Sequence, residues 1–304
     1  MTPVRSKPAL FIADVRANTR LCREHFRITL AVRGFPHAIP GQFIHILCRE
    51  PDDANGDGSH AFSTPGLRRP FSIGGLRRSG DECEIDIIGR VVGPGTTWLN
   101  ALQAGDHVDL LGPLGRGFTM PAPSRTALLL AGGVGLPPIL WLSEMLATHG
   151  VSRVAFFGAQ TRDLIPLHIT AEPDKSGKPT ACIEEFARFG TACTITTDDG
   201  SCGLKGRITH ALMQQLGCAG GADKLIAYAC GPEPMLEAVA KICIAAGIEC
   251  ELAMERVMGC GLGTCQSCVL RARDAAYDDG WRYALCCTEG PVFDARRIDF
   301  KPHH

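Results

Sequence analysis

Arg125–Leu142 reads RTALLLAGGVGLPPILWL, and the organisation of the chain can be worked outward from it. Arg125 to Leu130 (RTALLL) is a short apolar run of strand length, and the glycines at 132, 133 and 135 break it with a turn. Leu136-Pro137-Pro138 then opens a helix predicted over Ile139–His149, because proline is tolerated in a first helical turn. Glycines between a strand and a helix let the backbone approach a pyrophosphate closely. The turn lacks the G-x-G-x-x-G spacing, so it reads equally well as purely structural. Three glycines and two prolines interrupt Ala127–Leu142, which falls short of the ~20 residues of a spanning helix, and no membrane span is predicted.

Further along, Val151–Phe157 (VSRVAFF), Thr191–Thr196 and Leu225–Ala229 read as strands and Met235–Ala246 as a helix. Strands alternating with helices imply a parallel sheet covered on both faces. Cys230-Gly231-Pro232-Glu233-Pro234-Met235 follows a strand and starts a helix, which places it on the ligand-binding carboxyl edge of that sheet. The alternative is a buried thiol at a strand end. Upstream, beyond a linker at Pro121–Ser124, the pattern changes to ALFIADVRA, FRITLAVRG, GQFIHILCR, CEIDIIGRVV and DHVDLLGPL, short runs separated by turn residues. That pattern predicts an antiparallel barrel. The Cys- and Gly-rich C-terminal stretch is too poor in apolar runs to hold a core without help, which a metal centre would provide. Pro51–Pro65 and Glu172–Thr180 read as surface loops.

An apolar fraction of 45%, a charged fraction of 21% and a net charge of -1 over 304 residues describe an ordinary globular chain without a basic nucleic-acid surface. The N-terminus alternates apolar residues with arginines and does not read as a secretory signal, so a cytoplasmic location is expected. Fifteen cysteines, about one residue in twenty, argue in that setting for reduced thiols, some of them metal-bound. Ten are scattered through apolar runs and read as packing. Cys260, Cys265, Cys268, Cys286 and Cys287 are different, since they fall close together amid glycines.

Cys260-Gly-Leu-Gly-Thr-Cys265-Gln-Ser-Cys268 has C-x4-C-x2-C spacing, which wraps a short loop around one point and fits a two-iron two-sulfur cluster with a fourth ligand further along. Structural zinc more often shows paired C-x2-C knuckles. Spacing leaves Cys286 and Cys287 both open as the fourth ligand. In an extended segment neighbouring side chains point to opposite sides, so one of the two must be a spectator. In the barrel, Arg69-Pro70-Phe71-Ser72 offers an arginine for a diphosphate, with a hydroxyl beside an aromatic that suits a flavin edge. Gly93-Pro94-Gly95-Thr96-Thr97 opens a short helix predicted over Thr96–Leu102, whose N-terminus suits phosphate. Either motif alone could be an ordinary turn.

Taken in order, RPFS, IIGRVVGPGT, DLLGPLGRGF, LLLAGGVGLPPIL, TTDDGSCGLKG, YACGPEPML, ERVMGCGLGTCQSCV and CTEGPVF resemble the ferredoxin reductase superfamily, and within it the electron transfer subunits of type B dihydroorotate dehydrogenase. The resemblance spans nearly the whole chain. It implies a fold of class β plus α/β: an antiparallel FAD-binding barrel over 1–121, a Rossmann-like NAD-binding parallel-sheet domain over 122–250 and a small [2Fe-2S] segment over 251–304. It implies flavin contacts at Arg69, Pro70, Phe71, Ser72, Ile88, Gly89, Arg90, Gly95 and Thr96, and nicotinamide-nucleotide contacts at Gly132, Gly133, Gly135, Cys230, Gly231 and Pro232. The ligands implied are Cys260, Cys265, Cys268 and Cys287, the last because it stands three positions before Gly290-Pro291-Val292-Phe293. An aromatic often precedes the arginine that Arg90 matches; Gly89 stands there, and Phe71 is a candidate replacement.

The function implied is a relay in pyrimidine synthesis. An FMN-containing catalytic subunit, expected in a two-plus-two heterotetramer, oxidises dihydroorotate, and electrons pass through the cluster and FAD to NAD+. No catalytic residue for the pyrimidine is expected in this chain. A related subunit of a sulfhydrogenase or ferredoxin-NADP transhydrogenase would carry the same cofactors, whereas a non-redox zinc protein would carry none. Arg162 and Asp163, after the second strand of the sheet, read either way for NADH against NADPH.

Overall fold

The computed structural model describes residues 7–49, 66–218 and 221–300. The loop expected at Pro51–Pro65 and the side chain of Cys218 lie outside the described residues. The N-terminal unit contains β1 (Ala9–Cys22), β2 (His25–Arg33), β3 (Phe43–Leu47), β4 (Arg69–Ser72), β5 (Gly75–Ser79), β6 (Glu82–Arg90), α1 (Pro94–Ala101) and β7 (His107–Leu114). They form one antiparallel sheet in the order β4-β3-β7-β1-β2-β6-β5. The two edge strands are consecutive in the chain. Ile73 donates to the Gln42 carbonyl at 3.1 Å and Gly74 to that of Asp86 at 2.8 Å, so this short link curls one edge toward the other. Alternate residues point inward, and Ile28, Leu30, Ile44, Ile46, Ile85, Ile87 and Leu110 fill the interior.

The second unit is an α/β domain: β8 (Thr126–Gly132), α2 (Leu136–Thr148), β9 (Ser152–Ala159), α3 (Glu184–Ala187), β10 (Ala192–Thr197), β11 (Leu204–Lys205), α4 (Ile208–Cys218), β12 (Leu225–Cys230), α5 (Glu233–Ala245) and β13 (Glu249–Ala253). Two further strands, β14 (Val269–Arg273) and β15 (Trp281–Leu285), make a hairpin before β16 (Val292–Asp294) returns antiparallel to β13. The large sheet runs β11-β10-β9-β8-β12-β13-β16 and is parallel except for β16. Strand order reverses between β8 and β12, the place where open α/β sheets bind ligands.

Two expectations need correction. RPFS is an edge strand rather than the end of a loop; Pro70 cannot donate to a ladder, which an edge tolerates. The limit expected at 250/251 falls inside β13, and β16 rejoins the same sheet. Cys268, Leu270, Ala284 and Cys286 belong to the same buried cluster as Ala240, Leu252 and Phe293. The C-terminal segment therefore shares its core with the α/β domain, and metal is not its only support. The barrel and the α/β domain are equally joined: Trp141 of α2 is buried with the barrel core, and a methyl on Gly74 would lie 3.0 Å from Pro137 Cβ.

Candidate functional site

The expected flavin residues fall on neighbouring elements, with β4 lying against β6 and α1 beside it. A methyl on Gly95 would sit 3.3 Å from Cys48 Cβ and 3.6 Å from Arg69 Cγ, so glycine there brings the start of α1 close to Arg69. The Arg69 guanidinium bonds the Leu67 carbonyl at 3.2 Å and is otherwise exposed. Pro70, Phe71 and Ser72 are half-buried. The Thr96 hydroxyl accepts from the Val92 N–H at 2.9 Å and the Gly93 N–H at 3.2 Å, and so shapes its own helix entry.

On β6, Ile88 joins the apolar cluster of the α/β domain, while Gly89 faces the barrel interior. A methyl on Gly89 would lie 2.6 Å from Phe26 Cζ, which explains the absence of an aromatic at this position. Arg90 pairs with the Glu24 carboxylate at 2.8 Å and holds that carboxyl below its usual range.

The expected nicotinamide residues meet at the switch point. A methyl on Gly135 would stand 2.2 Å from the Cys230 carbonyl oxygen, and one on Gly132 would stand 2.5 Å from Met235 Sδ. These close approaches let the loops after β8 and β12 pack against each other. Gly133 has φ +51°, and a side chain there would meet nothing within 4 Å, so the turn faces open space. Burial and the nearby Glu255 push the Cys230 thiol up to about 12, which leaves it a neutral thiol at a strand end.

At the cysteine loop, Cys260 Sγ accepts from the N–H groups of Leu262 at 3.3 Å and Cys265 at 3.4 Å. Gly261 and Gly263 have positive φ, +72° and +87°, and produce this curl. Hydrogen bonds from Ser267 and from Cys260 hold the exposed Cys265 thiol down at about 6. Cys268 Sγ accepts from the Cys287 N–H at 3.4 Å. Burial, then the adjacent Cys268, pushes the Cys287 thiol up to about 12, and two thiolates there need a cation between them. Cys286 instead donates to the Met254 carbonyl at 3.3 Å inside the core. The two cysteines start a turn rather than continuing a strand, since Glu289 donates to the Leu285 carbonyl at 2.8 Å, yet their side chains still diverge. Among the described residues no three ligating side chains converge on one metal ion. A two-iron cluster asks less of the chain, because bridging sulfides complete each iron and two thiolates per iron suffice.

One residue near this loop carries no signal in the sequence. His45, in the strand FIHIL of β3, is fully buried, and neither ring nitrogen has a hydrogen-bond partner among the described residues. Burial and the nearby Arg68 pull its pKa down to about 4, so the ring is neutral. Its Cε1 and Nδ1 would lie 3.0 and 3.1 Å from a methyl on Gly261.

Two family models match the chain: the iron-sulfur cluster binding domain of dihydroorotate dehydrogenase B over residues 255–299, and an oxidoreductase NAD-binding domain over 129–241. The chain is 37% identical over 262 residues to the dihydroorotate dehydrogenase B (NAD(+)) electron transfer subunit of Geobacillus thermodenitrificans, with 85% of this chain and 86% of that one covered. It is 30% identical over 289 residues to the same subunit of Caldanaerobacter subterraneus, covering 95% and 98%. Its fold is similar to that of an NADH-dependent reduced ferredoxin-NADP oxidoreductase, with a TM-score of 0.73 at 22% identity, over 95% of this chain and 90% of that one. No helix among the described residues is long and apolar enough to cross a membrane.

Proposed function

The chain belongs to the family of electron transfer subunits of dihydroorotate dehydrogenase B (NAD+), and from that premise we propose that it links an FMN-containing dihydroorotate-oxidising subunit to NAD+ in UMP synthesis. A two-plus-two heterotetramer in the cytoplasm completes the reading. FAD is the group that takes electrons singly and gives a pair as hydride, and a two-iron cluster carries one at a time.

The residues divide the work. Arg69 pairs with the flavin diphosphate, and the close approach at Gly95 and the backbone of Ile88, Gly89 and Arg90 shape the flavin cradle, beside Pro70, Phe71, Ser72 and Thr96. Gly132, Gly133, Gly135, Cys230, Gly231 and Pro232 receive the nicotinamide nucleotide at the switch point. Cys260, Cys265, Cys268 and Cys287 hold the cluster, and N–H groups of Leu262 and Cys265 turned toward Cys260 stabilise its negative charge. The observation that carries the reading is the placement of the cysteine loop against the barrel: Gly261 packs on His45, which is paired across the ladder with Pro70 of RPFS. No residue is assigned to the pyrimidine, whose oxidation is left to the partner.

Anaerobically purified chain is expected to carry one FAD, two irons and two acid-labile sulfides per chain, and to reduce an artificial acceptor with NADH. Zinc without flavin would refute the assignment.

A further inference from the structure

We propose that His45 is a tuning residue for the cluster, its imidazole donating an N–H toward the sulfurs held by the Cys260–Cys268 loop. The inference deepens the reading above and rests on its assignment of that loop to iron. Three observations lead to it. A buried polar group is ordinarily hydrogen-bonded, and leaving one unmade is costly; here both ring nitrogens of a fully buried side chain lack a partner among the described residues. The edge of the ring carrying Nδ1 faces Gly261, between two of the proposed ligands. The chain has fitted itself to that ring, because a side chain at 261 would meet His45 Cε1 at 3.0 Å and Leu114 Cδ1 at 3.1 Å.

The neighbours of His45 on its own sheet do not satisfy it. It stands opposite Pro70 on β4 and Leu111 on β7, and the Phe43 ring lies 5.6 Å away, tilted. None of these side chains offers a hydrogen-bond acceptor. The side that the ring faces is the loop that carries Cys260 and Cys265, whose sulfurs are hydrogen-bond acceptors. One-electron reduction adds negative charge to the cluster, and a donor to its sulfurs stabilises the reduced form more than the oxidised one. His45 therefore raises the cluster's reduction potential. Because β3 is also the strand that pairs with RPFS, the same side chain fixes the cluster loop against the flavin barrel.

The test is a dye-mediated redox titration of the full-length, cluster-loaded chain without NAD or partner, read by electron paramagnetic resonance of the reduced cluster. Parent protein must first show iron and the signal; their absence would count against the cluster assignment and not against His45. His45→Leu keeps the packing and removes the donor. At the parent's midpoint it is expected to hold about tenfold less reduced than oxidised cluster, a shift of about 59 mV for one electron. His45→Gln, which keeps an N–H, is expected to stay near the parent. If His45→Leu fails to retain iron while His45→Gln keeps the parental potential, the donor role also stands. An unchanged potential in His45→Leu, or an equal shift in both variants, would show that the side chain only fills space.

Discussion

At the scale of single residues, adjacent thiols have different fates. The Cys286 thiol is committed to the Met254 carbonyl in the core, while Cys287 lies beside Cys268. Cys286→Ser keeps a donor for that carbonyl and is expected to cost about 1 kcal/mol of stability with a normal cluster. Cys287→Ser offers iron a harder, weaker ligand and is expected to lose most of the iron and the resonance signal. Iron analysis of both anaerobic variants decides, and the reverse pattern would exchange the assignments. Among the described residues Arg69 makes one bond, to a carbonyl, so its charge is available to a ligand. A charge-assisted bond contributes ~1.5–3 kcal/mol, and Arg69→Ala is expected to lower FAD affinity about ten- to a hundredfold with iron content unchanged. Equal FAD occupancy in variant and parent would make it a solvated surface charge.

Elements constrain the residues that they carry. Gly89 is set by the strand opposite, where Phe26 fills the space; Gly89→Ala is expected to destabilise the barrel by about 1–3 kcal/mol, and Phe26→Leu in the same chain to restore much of the loss in thermal unfolding. Arg162, in the turn after β9, is held by both oxygens of Glu172, at 3.1 and 2.8 Å, and Asp163 pairs with Arg23 at 3.1 Å. The loop at Glu172 thus pairs with Arg162, which is a candidate cation for a 2′-phosphate. Glu172→Gln is expected to raise kcat/KM for NADPH by a few-fold relative to NADH, a small gain because exposed pairs contribute ~0–1 kcal/mol; an unchanged ratio would remove Arg162 from cofactor selection. The longer elements were legible in the sequence because their periodicity is local: β8, α2, β12 and α5 all stand within a few residues of their predicted places. Those that depend on distant partners were not. RPFS becomes a strand only because β3 lies beside it, and β16 only because β13 does. The cysteine spacing and the two Gly turns pointed to the candidate site, but His45 was hidden in an apolar run, since nothing local distinguishes an unpaired buried histidine from a packed one.

At the scale of the molecule, three proposed sites share continuous packing. The cysteine segment lies on the α/β core, its Gly261 lies on the barrel, and Trp141 and Pro137 bind the barrel to the α/β domain. A fixed arrangement of this kind suits electron transfer, where distance and orientation are the protein's contribution. None of the described residues is assigned to the pyrimidine, and the chain is the NAD-facing part of a relay. The most direct test mixes the FAD- and cluster-loaded chain with the dihydroorotate-oxidising subunit, dihydroorotate and NAD+, and follows NADH formation by absorbance. NADH is expected from the mixture and from neither component alone. NADH formed by this chain alone, or none from a mixture in which both cofactors are fully loaded, would contradict the account.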